Sequence, residues 1–217
     1  MVKKSVAREL NQKNLAYFSK VLEDVEHFAF FGTMLGLERD GDVIEGDDDI
    51  DFYVPMRERS RLITLLLKHG VSIDCEEWPN NTPYFLQARR EIAGNEVLAD
   101  FYLFEDIGNG LLADRWNFYG QVAHPDMVLH VPSKLVYPLQ KREFFGHQVS
   151  LPHETRALCE FLYGRTWKQR LQKGTAYRTT IWRNKPLVVV GKFSYVRYKI
   201  LKALKKIRRR LVSAFTA

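Results

Sequence analysis

Cysteine is scarce in this chain: two residues in 217, Cys75 and Cys159, with no metal-ligand spacing between them. That excludes a cysteine-built metal cluster, and reduced thiols in a cytoplasmic chain are the economical reading. No run of about 18 or more apolar residues occurs, so nothing reads as a transmembrane helix. Met1-Val2-Lys3-Lys4-Ser5 leads to Arg8 and Glu9 without the apolar core of a secretory signal. Internal repeats and a Gly/Ser linker are also missing. What is present, 46% hydrophobic and 13% aromatic residues, describes a globular chain long enough for one full core and a small appended subdomain.

Acids are missing from one region. The total is 33 − 26 = +7, but acids lie mostly before Glu105, and residues 192–210 hold nine Lys or Arg and no acid. Val196, Ile200, Leu204, Ile207, Leu211 and Phe215 step by three or four, so residues 193–216 read as a basic amphipathic helix. Its expected partner is anionic, and an anionic membrane surface is favoured, at about 1 kcal/mol per basic residue. The expected location is therefore peripheral on the cytoplasmic face. Packing of the stripe on the protein's own body is the rival.

Periodicity predicts an amphipathic helix over about the first 25 residues, then a short strand at Phe28-Ala29-Phe30-Phe31 ending at Gly32-Thr33. One or two helical turns (Met34 to Glu38) and a turn at Arg39-Asp40-Gly41-Asp42 follow. A second helix spans Arg57 to His69, with Leu62, Leu65 and Leu66 inward and Gly70 as its stop. Val71 to Glu76, Tyr84 to Ile92 and Val97 to Phe104 read as strands. The predicted class is an α/β (α+β) mixed sheet with flanking helices. Residues 1–175 form the expected catalytic domain, with a core at about 26–105 and a closing segment at about 106–175. That segment reads as aromatic-rich turns with four prolines and a helix from about Glu154 to Tyr163. Residues 176–217 are the tail.

The chemistry concentrates at Asp47-Asp48-Asp49-Ile50-Asp51, four carboxylates running into Phe52-Tyr53-Val54. At a period of two, Asp47, Asp49 and Asp51 share one strand face while Ile50, Phe52 and Val54 point into the core. Acids so placed are tolerable around a cation, and oxygen-only ligation points to Mg²⁺ or Mn²⁺. Asp100, the one acid within Val97–Phe104, fits as a third ligand. Gly32-Thr33 ahead of a helix lets a phosphate approach free backbone N–H groups. An EF-hand reading fails because its position-six glycine is Phe52. A solvated acidic turn, or Asp100 paired with Arg89 or Arg90, is the bland alternative. His124, His130, His147 and His153 show no ligand spacing.

Residues 31–51, Phe-Gly-Thr-Met-Leu-Gly-Leu-Glu-Arg-Asp through Asp-Asp-Asp-Ile-Asp, resemble the signature of the LicD/fukutin family of phosphotransferases. Ala99-Asp100-Phe101-Tyr102 resembles its later Asp-bearing strand. Tyr137-Pro138-Leu139, Phe145-Gly146, Leu151-Pro152 and Leu162–Trp167 resemble its closing segment. The likeness spans roughly residues 28–170. Two departures stand out: Glu45-Gly46 replaces the family's Pro-Trp, and Asp40 stands where relatives often have His.

The resemblance implies a nucleotidyltransferase-like fold and a CDP-linked donor whose phosphocholine or alditol phosphate passes to a glycan or lipid-linked glycan hydroxyl, releasing CMP. It assigns Asp49, Asp51 and Asp100 to the metal, with Asp100 also helping to deprotonate the acceptor. Gly32 and Thr33 then contact donor phosphate, Arg39 neutralises charge as CMP leaves, and Asp47 is a weaker ligand candidate. An Asp-x-Asp glycosyltransferase ranks second, since such folds need a longer nucleotide-binding region before their acids. A nucleic-acid-binding protein using the basic helix ranks last, because it leaves the acidic strand unexplained.

Overall fold

A computed structural model describes residues 4–76, 84–114 and 129–170. The predicted tail helix at 193–216 lies outside the described residues. The sheet is organised by its two most apolar segments. β2 (Asp49–Pro55) and β5 (Asn95–Asp106) lie parallel, placing Asp51 beside Asp100 and Phe52 beside Phe101. β1 (Phe28–Ala29) flanks β2, while β4 (Phe85–Ile92) and then β3 (Ser72–Glu76) extend the far side, all antiparallel to their neighbours. The end of β5 runs on to pair with β6 (Leu111–Asp114), and β6 with β7 (Leu129–Pro132).

Alternation along β2 divides the sheet into two faces. On one, Phe52 stacks on Phe101 with ring centroids 5.5 Å apart, and Phe18 of α1 (Lys4–Val21) meets both rings edge-on. All three are fully buried, each ring contributing roughly 1.5–3 kcal/mol. On the other face Asp51 and Asp100 alternate with Tyr53, Tyr102 and Phe104, and Phe30 stacks on Tyr53 at 3.7 Å. Both faces are covered, which is why the acids on this strand are buried.

Three expectations are corrected. The strand before Gly32 is only two residues long, because Phe31 takes a left-handed φ of 38° after the extended Phe30 and turns the chain into a helix. Gly32 and Thr33 thus occupy the first turn of α2 (Phe31–Asp40), a ten-residue helix and not one or two turns. It runs through Gly36, where a Cβ would meet the Asp42 carbonyl at 2.6 Å; the following loop folds back onto this glycine. Arg39 and Asp40 end the helix, with left-handed Gly41 as its stop. The third correction concerns Asp47: the ladder begins at Asp49, so Asp47 and Asp48 precede the strand, Asp47 closing the Glu45-Gly46 turn with its N–H bonding the Ile44 carbonyl at 3.2 Å.

α3 (Arg59–Lys68) follows a short 3₁₀ turn and buries Leu62 and Leu66, while Leu65 is half-buried; Gly70, with φ 68°, ends it as expected. The region beyond Glu105 carries more strand than the turns its prolines predicted. After α4 (Ser133–Val136), β8 (Gln140–Phe144) and β9 (His147–Leu151) form a hairpin. Its two-residue turn, Phe145-Gly146, has both φ angles positive, as such a hairpin needs. α5 (Thr155–Tyr163) packs on α2, and β9 on α1 and β1.

Candidate metal centre

Parallel pairing does the first assembly step. Asp51 and Asp100 are register partners on adjacent strands, and Asp49 lies two residues earlier on the same face. One carboxylate oxygen from each of Asp49, Asp51 and Asp100 falls within 4.8 Å of the others. Asp51 and Asp100 are each 7% exposed and Asp49 is half-buried, giving the group one open side. Asp47, Asp48 and Asp49 make a second, more exposed acidic group, with Asp49 common to both.

The buried pair is held by neutral donors. Gly32 N–H donates to Asp51 Oδ2 at 2.9 Å, and Asp51 N–H donates to the Thr33 hydroxyl at 2.8 Å. Gly32 and Thr33 therefore grip Asp51 from the first turn of α2, whose positive dipole end favours the carboxylate. Gln87 on β4, the register partner of Asp100, donates its amide to Asp100 Oδ1 at 2.9 Å. Arg89 in turn donates to Gln87 Oε1 at 3.1 Å and pairs with Asp74 at 2.6 Å. Arg90 lies on the other face with its guanidinium 3.4 Å from the Tyr17 ring. The arginine partner weighed for Asp100 is thus replaced by an uncharged amide.

That arrangement crowds buried negative charge. Burial, then repulsion from Asp49, Asp47 and Asp100, pushes the Asp51 carboxyl well above its usual range. Burial also pushes Asp100 up to about 6, against the hydrogen bond from Gln87. Three oxygen donors on two rigid strands, two of them destabilised as anions, are the donor set a hard divalent cation requires. The residues present fit such an ion.

Not every expected residue joins the group. Arg39 sits seven residues along α2 from Gly32, about 10 Å by helix rise, and its guanidinium pairs with Asp40 at 2.8 Å. Asp40 also receives Arg170, and neighbouring Glu38 receives both Arg142 and Arg156 at 2.7 Å. This charged cluster joins α2 to the β8–β9 hairpin and α5, at the opposite end of the helix from Gly32.

Sequence reasoning missed Gln87, a polar residue in the apolar first half of β4, between Leu86 and Ala88. It also missed Asn11 and Asn14, asparagines set among Leu10, Leu15 and Phe18 on the buried stripe of α1. A further pair, the Tyr53 hydroxyl donating to Asp114 Oδ2, is wholly buried on the carboxylate face.

Residues 24–154 match the family model described as LicD/FKTN/FKRP, nucleotidyltransferase domain. No curated protein matches significantly. Among solved structures, a lincosamide antibiotic adenylyltransferase, LnuA, bound to lincomycin, is 14% identical with a TM-score of 0.49, the match covering 80% of this chain and 96% of that one. An antigenic nucleotidyltransferase-like protein from Paracoccidioides brasiliensis is 17% identical with a TM-score of 0.45, covering 97% and 94%. The family match takes in α2, the acidic strand and Asp100 together, spanning more than half of the chain, and the protein belongs to the LicD/FKTN/FKRP family as a transferase built on its nucleotidyltransferase domain.

Proposed function

We propose that this protein is a metal-dependent phosphotransferase that moves a phospho-alcohol from a CDP-linked donor to a hydroxyl of a glycan or its lipid-linked precursor. The observation that supports this most is the Asp49–Asp51–Asp100 trio, two of its acids buried, drawn from two parallel strands beneath the first turn of α2 within a LicD domain. Asp49, Asp51 and Asp100 would hold Mg²⁺ or Mn²⁺. When bound, that ion supplies charge neutralisation at the diphosphate.

The chain's own groups account for the rest. In the proposed reaction the acceptor oxygen attacks the phosphorus carrying the alcohol. The bond from that phosphorus to the bridging oxygen breaks, CMP leaves with the bridging oxygen and its electron pair, and the acceptor proton is lost. Asp100, the register partner of Asp51 on the same sheet face, is proposed to help take that proton. Gly32 and Thr33 act chiefly by fixing Asp51, since the Gly32 amide and the Thr33 hydroxyl are already bonded to it. Phosphoryl transfer asks mostly for position and charge neutralisation, so no separate nucleophile is needed.

The basic stretch 193–216 is proposed to attach the enzyme to an anionic membrane surface from the cytoplasmic side. Among the described residues no helix is long and apolar enough to cross a membrane. Deleting residues 192–217 should abolish sedimentation with phosphatidylserine vesicles, and retained sedimentation would refute the attachment. For the chemistry, the full chain is incubated with CDP-choline, CDP-ribitol, CDP-glycerol and a panel of UDP- and GDP-sugars, each with Mg²⁺ and a glycan acceptor. CMP release that EDTA abolishes and Asp51→Asn eliminates is the expected result. Turnover confined to UDP- or GDP-sugars would overturn the donor assignment.

A further inference from the structure

We infer that α1, which lies ahead of the family-matched segment 24–154, is a positioning element of the carboxylate centre, acting through Asn11 and Asn14. The inference rests on the reading of that centre as a metal site. Asn11 Nδ2 donates to the Asp47 carbonyl at 2.9 Å and reaches the Asp49 carbonyl at 3.5 Å. Three residues on, and so on the same side of the helix, Asn14 Nδ2 donates to the Leu98 carbonyl at 2.9 Å. Asp49 and Leu98 are register partners, at the position where β2 and β5 begin to pair. One helical turn therefore grips both carboxylate-bearing strands at one level, two residues before Asp51 and Asp100.

Packing alone does not explain these asparagines. They are 3% and 0% exposed and stand among Leu10, Leu15 and Phe18, where an amide is costly unless bonded and a leucine would bury more apolar surface. Asn14 Oδ1 finds no partner among the described residues, so only the N–H half of that buried amide is used. What the N–H groups hold is strand backbone next to the acids. Repulsion among Asp47, Asp49, Asp51 and Asp100 acts to spread these strand ends apart, and a grip across both opposes it. Arg8 adds to the same buttress from the surface, pairing with Glu45 at 3.1 Å, and Gln12 donates to Asp42 at 2.8 Å.

The test is Mn²⁺ binding by the full-length protein, followed by electron paramagnetic resonance, alongside thermal melts in EDTA. Asn11→Leu and Asn14→Leu should each weaken Mn²⁺ binding about tenfold or more, in the range seen when groups that orient metal ligands are removed. They should also broaden the hyperfine pattern of the bound ion, a change that loss of fold stability alone does not produce. Lys13→Gln, at an exposed position of the same helix, should bind as the wild type does. Should a leucine variant fail to fold, Asn11→Ser carries the same test, because its hydroxyl is too short to span to the Asp47 carbonyl while the position stays polar. Wild-type affinity and spectrum in the asparagine variants, with Asp51→Asn still unable to bind, would overturn this inference and leave the metal site standing. A wild-type protein that binds no Mn²⁺ would overturn both.

Discussion

Ionising Asp100 in the metal-free protein should cost stability in a defined pH window. Unfolded, its carboxyl titrates at its ordinary 3.8; folded, burial carries it to about 6. Between those values the folded chain holds a proton that the unfolded chain has lost, so stability falls as pH rises, then levels off above the folded value. The difference of about 2 units at 1.36 kcal/mol each is about 3 kcal/mol. For a chain of this size each kcal/mol moves the melting temperature by about 2–4 °C. Asp51, raised chiefly by burial, adds loss of the same sign. Glu38 and Asp40 act oppositely. Burial raises both, but hydrogen bonds from their arginines outweigh it, so their stabilisation is lost as pH falls. The informative quantity is therefore wild type minus Asp100→Asn, from urea denaturation in EDTA between pH 4 and 7.5. The wild type should lose about 3 kcal/mol relative to the variant across that range. Excess Mg²⁺ should restore the wild type and do little for the variant. A wild-type-minus-variant difference that ignores pH, or equal rescue of both by Mg²⁺, would refute the reasoning.

Three further outcomes are expected. Thr33→Val keeps the shape of the side chain but leaves the buried Asp51 N–H without its acceptor, costing about 1–3 kcal/mol in urea melts, whereas Thr33→Ser should stay near wild type. Tyr53→Phe removes the hydroxyl bonded to fully buried Asp114 and should cost about 1–3 kcal/mol, measured the same way. Glu38→Gln retains size and loses both ion pairs; with Arg156 83% exposed, solvent screening limits the cost to about 1–2 kcal/mol. That penalty should shrink below pH 4.5, as wild-type Glu38 protonates through its depressed pKa, and a penalty unchanged at pH 3 would exclude the ion pairs as its source.

Much of this centre could be read from spacing because strand geometry is local. Once Ile50, Phe52 and Val54 are recognised as one face, Asp49 and Asp51 must share the other, and the same alternation sets Asp100 against Tyr102 and Phe104. Where a strand stops is less local. Phe28 through Phe31 reads as an apolar strand, yet its last residue adopts a left-handed φ because the chain must turn to bring the first turn of α2 over Asp51. The helix that follows reads from sequence only as one or two turns, Met34 to Glu38, and extends through Gly36 to Asp40. Glycine suits position 36 because the loop carbonyl of Asp42 occupies the space a side chain would need, a contact between segments that no window of sequence shows. The β8–β9 hairpin escaped for a simpler reason. Prolines on both sides argued for irregular chain, and Phe145-Gly146, whose glycine readily takes one of the two positive φ angles of the turn, was read only as a piece of a motif.

The disagreement over Gly32 and Thr33 bears most on mechanism. A glycine and a hydroxyl residue at a helix start, just before paired acids, invite a phosphate-binding assignment, because free N–H groups and a small side chain suit an anion. In the folded chain the Gly32 N–H receives the Asp51 carboxylate, and the Thr33 hydroxyl accepts from the Asp51 N–H. The two readings share their electrostatics and differ in what the helix end accomplishes. A dipole aimed at a substrate would lower the energy of binding, while one aimed at a buried carboxylate favours its ionised form and fixes its orientation. Burial still drives Asp51 well above its usual range despite that bond, so the helix end alone does not offset the loss of water. Asn11, Asn14, Thr33, Gly32 and Gln87 then form one set: neutral donors and an acceptor that hold strands and carboxylates in place without cancelling their charge. An arginine in place of Gln87, the one side chain of this set bonded to a carboxylate, would instead pair with Asp100 and offset charge that a cation could otherwise meet.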